Sequence, residues 1–401
     1  MLNSIYRNVT LLAICQAFHI CVTILVVTTT PLAGYALLGV DKTLATLPFM
    51  LYHLGIMTTT VPASLLMKRI GRRAGFSLGS LIGILAGAIS TIAIFQQSFF
   101  LLCLGLMLTG SAAAFALYYR FAATDTADDL FRPKAISFVL TGGIIASFLG
   151  PQTAKYAFEW FAPVMFAGIY VMVIIYSLLS LVIIQGLKIP SLTKRERKTC
   201  VRSMRIIISQ PFYIVAILSS AVGYGVMALV MSATPLAMYA CGFNFNASTT
   251  VIQAHVLGMF LPSFFTGHLI IHLGALQIIA IGALMQGACA LVNASGIDFA
   301  NFFIANIFVG VGWNFMYIGG SSLLTETYQA SERAKVQASH DFVVFTVTVI
   351  AAGLSGLLQA QIGWFVLNLI ILTMSVMFVI FLFLFFRNSL KTRNNVIGYR
   401  N

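Results

Sequence analysis

Five ionisable side chains fall where a charge meets little water. Asp341, Arg120, His19, His53 and His255 all sit inside long apolar stretches of this 401-residue chain. Burying such groups in hydrocarbon is costly, so each is a candidate functional residue by default. Asp341 lies a few residues into its stretch, ~9 Å from the end at 1.5 Å per residue, and Arg120 lies near the end of another. A carboxylate that gains or loses a cationic neighbour changes its proton affinity strongly, and histidine titrates near physiological pH. The chemistry on offer is therefore proton movement, or a hydrogen bond to a bound solute; a satisfied structural role is equally open to each histidine. Gln16, Tyr224, Gln253, Trp313 and Asn314 add polar and aromatic groups at mid-depth, a set that suits an organic solute without strong negative charge. His268 and His272 have the i, i+4 spacing of metal ligands on a helix, but no third ligand accompanies them. No metal and no other cofactor is expected. Neither an H-E-x-x-H string nor a G-x4-G-K-[ST] phosphate loop occurs, which argues against a zinc hydrolase and against a nucleotide-driven pump.

Those residues need elements to hold them, and the composition dictates what kind. The chain is 60% hydrophobic and 8% charged, against about 25% charged in soluble domains. Apolar stretches long enough to cross ~30 Å of hydrocarbon recur along its length. The expected fold is an all-α membrane protein with twelve transmembrane spans, near 9–36, 44–66, 75–96, 98–122, 135–156, 163–187, 210–238, 248–271, 275–296, 299–324, 336–358 and 363–386. No cleavage pattern follows the first stretch, so it should remain as span 1. Of 23 Lys and Arg, 20 fall before span 1, in the 2–3, 4–5 and 10–11 loops, in the 188–209 linker or in the tail. By the positive-inside rule both termini are then cytoplasmic. The net charge of +13 thus reads as topology and not as a nucleic-acid surface. The six cysteines show no paired spacing, and no disulfide framework is expected.

The chain also repeats itself. Leu25 to Ala36, LVVTTTPLAGYA, returns as LVMSATPLAMYA from Leu229 to Ala240, identical at eight of twelve positions. Leu54-Gly55 is answered by Leu257-Gly258, and Thr124-Asp125-Thr126 with Arg132 by Thr325-Glu326-Thr327 with Arg333. A period of half the chain means one module written twice. The expected units are 1–187 and 210–401, each a six-helix bundle, joined by the basic linker 188–209.

Two parallel six-helix halves with a cytoplasmic linker resemble the plan of the major facilitator superfamily over essentially the whole chain. The 2–3 loop from Ser64 is similar to the hallmark loop of that family at Arg69, Gly71, Arg72 and Arg73, while Ser64 and Lys68 replace its first glycine and its aspartate. Asp125 with Arg132, and Glu326 with Arg333, resemble the family's cytoplasmic gate. The resemblance implies that these charges pair when the cytoplasmic side closes; plain positive-inside charge is the alternative. Gly142-Gly143 and the run to Gly150-Pro151 look like the glycine-rich fifth-helix motif of the family's antiporters, though Ala154 stands where a glycine would end it. Leu106 occupies the position where proton-driven efflux members carry arginine. His255 to Phe260 and on to Gly267 is similar to bacterial inner-membrane facilitators of mixed substrates, near vitamin and siderophore carriers, and fixes no substrate.

The resemblance further implies a central cavity lined by spans 1, 4, 7 and 10. Arg120 and Asp341 would approach one another there, as a proton-sensitive switch or as a static tie, unless Arg120 snorkels to the surface. The expected function is alternating-access transport of a small organic solute, coupled to protons, by a monomer in the inner membrane. An uncoupled facilitator and proton-driven efflux of amphipathic compounds are the alternatives; an enzyme is not expected.

Overall fold

A computed structural model describes residues 2–124, 138–139, 141–189, 202–329 and 332–398. Among them every regular element is a helix, as hydrocarbon demands of backbone that must satisfy its own hydrogen bonds. Spans 1 to 4 appear as α1 (Leu2–Leu37), α2 (Leu47–Ile70), α3 (Arg72–Phe95) and α4 (Phe99–Ala116), with a short α5 (Tyr119–Thr124) continuing α4. Next come α6 (Gly142–Ala157), α7 (Ala167–Ile184) and the short α8 (Met204–Ile208). The second half holds α9 (Pro211–Ala240), α10 (Phe245–Phe260), α11 (Ser263–Leu273), α12 (Ala275–Ser295), α13 (Phe299–Thr325) and α14 (Arg333–Gly398).

Two departures from the expected spans stand out beside the split of span 4 into α4 and α5. Span 8 is broken into α10 and α11 with a bend of 42°. Pro262 stands at the break; it has no N–H to donate, and its ring clashes with the carbonyl four residues earlier. Spans 11 and 12 run together as α14, kinked at Gly363, where φ is 77° and ψ 172°. Among the described residues nine helices are long and apolar enough to cross a membrane, or ten with the bent pair taken as one. α6, at 16 residues, is below that length.

The same pairings recur in both halves. α1 packs on α6, α2 on α4, and α3 on α4 and α7; correspondingly α9 packs on α14, α10 on α13, and α12 on α13 and α14. Close crossings explain why the repeat keeps its glycines. A Cβ at Gly110 would land on the Tyr52 carbonyl and one at Gly55 on the Met107 carbonyl; Gly310 meets the His255 carbonyl and Gly258 the Ile307 carbonyl in the same way. Lipid gives helices no hydrophobic drive to associate, and an interhelical hydrogen bond contributes only ~0.6 kcal/mol. Close backbone approach at these crossings therefore does most of the holding. The tight turns repeat as well: Gly71 and Gly274 both sit at positive φ, 88° and 95°, between consecutive helices.

Across the halves, α2 lies against α14, α6 against α10 and α1 against α9. Symmetry-equivalent residues of the repeated segment meet one another here. Leu32 and Leu236 share one buried cluster, and the Tyr35 and Tyr239 rings are 5.6 Å apart, edge to face. A residue touches its own copy only close to a two-fold axis, so the repeated segments run along that axis.

Candidate functional site

Between the halves, toward the face carrying the chain termini, lies a cavity of about 360 Å³. α1 contributes Gln16 and His19, and α5 contributes Arg120. From the second half come Tyr224 of α9, Trp313 and Asn314 of α13, and Asp341 of α14. Seven residues singled out by type alone thus share one wall. The sequence reading missed Phe260, Tyr317 and Phe345, which line the same space.

The aromatic residues form one surface. Trp313 and Tyr317 are four apart on α13 and so share a helix face; their rings stack at 5.2 Å with an interplanar angle of 19°. Tyr224 sets its edge against both, at 5.2 and 5.0 Å, with Phe345 5.9 Å away. The buried indole Nε1 of Trp313 has no hydrogen-bond partner among the described residues. Such a donor is expensive to leave unmatched, and this one stands in a cavity wall where a solute acceptor can meet it.

Charge enters from both halves. Arg120 hydrogen-bonds Tyr317, which also hydrogen-bonds Tyr224, and Arg120 lies in the field of Asp341. Asp341 Oδ1 is 3.0 Å from Nδ1 of the buried His340. The sequence reading passed over His340, although its position beside the one carboxylate well inside a span was the signal that could have found it. The coupling between Arg120 and Asp341 therefore includes a tyrosine and a histidine as well as the two charges.

Three candidates lie elsewhere. His53 Nδ1 is 3.1 Å from the Phe49 carbonyl of its own helix, with the Phe49 and Tyr52 rings edge to face against it. His255 is fully buried, its Nδ1 3.1 Å from the Asn306 carbonyl of α13. Gln253 lines a separate apolar groove with Phe303 and Ile307, about two turns along α10 from Phe260. Asn314 borders the cavity, but its amide is occupied. Nδ2 donates to the Met259 carbonyl at 2.6 Å and to Ser263 Oγ at 2.7 Å, and Oδ1 accepts from Thr266 Oγ1 at 2.7 Å. It staples α13 across the break at Pro262.

Arg69 is exposed, Arg72 lies over the Tyr118 ring at 5.7 Å, and Arg73 donates to Gln185 Oε1 at 3.0 Å. Asp125 and Arg132 lie outside the described residues, as does the side chain of Arg333. Glu326, at the end of α13, is exposed. Among the described residues of these loops, the engaged acid is Glu332, 1% exposed. Arg202 Nε donates to its Oε1 at 2.7 Å, Arg202 Nη2 to its Oε2, and the Gln329 N–H to Oε2 at 2.9 Å. These bonds hold the Glu332 carboxyl down at about 2, chiefly through Arg202. Arg202 Nη2 also reaches the Thr327 carbonyl at 3.1 Å, so the end of the linker is tied to the loop before α14.

The fifth-span glycines act as spacers. Gly142 abuts the α1 backbone at Ala13 and Ala17, Gly150 faces Ile24, and Gly143 faces the Phe260 ring from the other half. Pro151 is buried within α6. One further pattern, Gly75-Phe76-Ser77-Leu78-Gly79, has the G-x-S-x-G spacing of a hydrolase nucleophile. It lies inside α3, where Ser77 Oγ accepts from Gln185 Nε2 at 3.0 Å, and not on the strand-to-helix turn that such a nucleophile needs.

Comparison with known proteins agrees with this architecture. The chain is 35% identical over 364 residues to the riboflavin transporter RfnT of Brucella anthropi, covering 90% of this chain and 91% of that protein. It is 28% identical over 367 residues to the MFS-type transporter YdeG of Bacillus subtilis, covering 86% and 84% of the two chains. A second Bacillus subtilis protein, YddS, is 26% identical over 346 residues, covering 82% and 79%. The family description Major Facilitator Superfamily matches residues 12–291. A repeated helical membrane module with a cavity between its halves, matched in sequence over most of its length, is a member of the Major Facilitator Superfamily.

Proposed function

We propose that the chain carries a planar aromatic solute of the flavin class across the inner membrane by alternating access, coupled to protons. The observation that carries this reading is the aromatic wall of Tyr224, Trp313, Tyr317 and Phe345 around a cavity of about 360 Å³, within the usual range for ligand sites. Flat rings stack on such walls, and the unmatched Trp313 Nε1 suits a ring carbonyl. The similarity to a protein named as a riboflavin transporter supports the same class.

In this reading twelve spans form two six-helix halves, 1–187 and 210–401, with 188–209 between them. α14 crosses twice, turning at Gly363, and α6 is a short fifth crossing. The basic loops keep both termini cytoplasmic. The halves rock about the cavity as a monomer. Asp341 takes and releases the coupled proton while Arg120, His340 and Tyr317 rearrange around it; Gln16 and His19 meet the polar edge of the solute. Arg69, Arg72 and Arg73 with Asp125 and Arg132, and Glu326 with Arg333, latch the cytoplasmic face. The test is riboflavin flux in proteoliposomes under an imposed pH gradient. Accumulation that follows the gradient and collapses with it supports the reading. Riboflavin flux that ignores the gradient leaves an uncoupled facilitator, and the absence of any riboflavin flux overturns the substrate class.

A further inference from the structure

A second cavity, of about 420 Å³, lies between the halves at the face opposite the termini. Along α1, Ile20 of the first cavity and Leu32 of the second are about 18 Å apart. Ile24, Leu25 and Thr28 between them are buried, so the two spaces are separate. The walls of this second space are aromatic and come from both halves. Phe158 stacks on Phe245 at 4.1 Å and 10°, and Phe166 sets its edge to Phe158 at 5.0 Å. Tyr35 and Tyr239 face each other across the axis. Lys42 fixes one side: its ammonium lies over the Tyr35 ring at 4.4 Å and donates to the Tyr35 and Leu38 carbonyls at 2.7 and 2.6 Å.

Ser248 is the second, independent sign of a ligand. In a helix a hydroxyl normally returns to the carbonyl four residues back. Its neighbours do so: Thr249 donates to Phe245 O and Thr250 to Asn246 O. Ser248, 2% exposed and in the cavity wall, has no partner among the described residues. A buried hydroxyl without a partner is unfavourable unless something filling the cavity meets it.

We infer that this outer cavity is a second binding site for a planar aromatic solute, with Tyr35, Tyr239 and the Phe158–Phe166–Phe245 cluster stacking on its ring and the Ser248 hydroxyl hydrogen-bonding its edge. The inference rests on the flavin-class reading above, because the two cavities offer the same wall chemistry. The solute occupies the outer site on the far side of the buried barrier from the central one, so both sites can be filled at once.

Riboflavin binding to the purified full-length protein in detergent tests this, with stoichiometry from equilibrium dialysis and affinity from quenching of flavin fluorescence. Wild type is expected to bind two equivalents, and Trp313→Ala to lose one. Tyr239→Ala and Ser248→Ala are each expected to weaken the other by about fivefold, the scale of one aromatic contact or one neutral hydrogen bond. Tyr239 is 57% exposed, so its truncation leaves the core intact. A single equivalent, lost in Trp313→Ala and indifferent to Tyr239→Ala and Ser248→Ala, overturns the outer site while the transport reading stands. No binding by wild type at all overturns both.

Discussion

The two halves place equivalent residues on the same cavity and give them different chemistry. The offset of 204 that relates the repeated segments pairs Ile20 with Tyr224, and the offset of 200 that relates Gly110 to Gly310 pairs Leu117 with Tyr317. All four line the central cavity. The second offset also sets Arg120 against Gly320. The first half therefore supplies Arg120, Gln16 and His19 but no Phe, Tyr or Trp ring, and the second half supplies the aromatic surface together with Asp341. The difference teaches where a duplicated module is free to change. Glycines at the crossings must stay small because backbone meets backbone, whereas a cavity residue meets only the solute and its own neighbours.

The contrast is broken most severely by removing the aromatic half. Trp313→Ala takes away a stacking ring and an unmatched indole donor in the cavity wall, and riboflavin transport should fall at least ~10-fold with the protein still folded. Restoring only bulk, with Trp313→Leu, should not restore flux. Removing the carboxylate that shares this half is more selective. Asp341→Asn should abolish gradient-driven accumulation and keep riboflavin counterflow, since exchange needs no net proton movement; loss of both would mean that Asp341 is structural. Asn314 sharpens the comparison because it adjoins Trp313. Asn314→Ala loses three hydrogen bonds at the Pro262 break and should lower stability by about 1–3 kcal/mol, read as a melting shift of a few degrees, with riboflavin affinity nearly unchanged. An affinity loss as large as that of Trp313→Ala would move Asn314 into the binding surface.

The smallest effect concerns the tie outside the membrane. Glu332 titrates near 2 in the folded chain, below its ordinary 4.5. A depressed carboxylate adds stability above its unfolded value and loses that contribution as pH falls toward the folded one. Glu332→Gln should therefore melt slightly below wild type at pH 7, with the gap narrowing below about 4.5 and closing near 2. A gap that persists to pH 2 would show that the Arg202–Glu332 charge pair is not its cause.

The helices were legible because hydropathy and length are one-dimensional signals, and the repeat was legible because it is written in letters. Residue type also gathered Gln16, His19, Arg120, Tyr224, Trp313 and Asp341, since a polar or aromatic side chain at mid-depth needs a reason. Facing was not legible. In helices that are apolar nearly all round, no periodicity separates His53 or His255 from a cavity residue, and both are buried against backbone carbonyls. Asn314 looked like a solute ligand because its three partners are 48 to 55 residues away in the chain. Glu332 was not singled out, because in sequence it is one charge among several in a loop, and its partner lies 130 residues back in the linker. Pro262 was in plain view, and its missing N–H predicts the break in span 8.

The meeting of Tyr35 with Tyr239 and of Leu32 with Leu236 has a consequence for how such a chain diverges. At an isologous interface a surface is its own partner, and a duplicated gene inherits that condition at every site on the axis. A side chain there must fit a copy of itself, so a change in one copy is tolerated only if it still packs against the unchanged other. Drift is thereby slowed along a strip one helix wide. The eight identities between Leu25–Ala36 and Leu229–Ala240 include both self-facing pairs, Leu32 with Leu236 and Tyr35 with Tyr239.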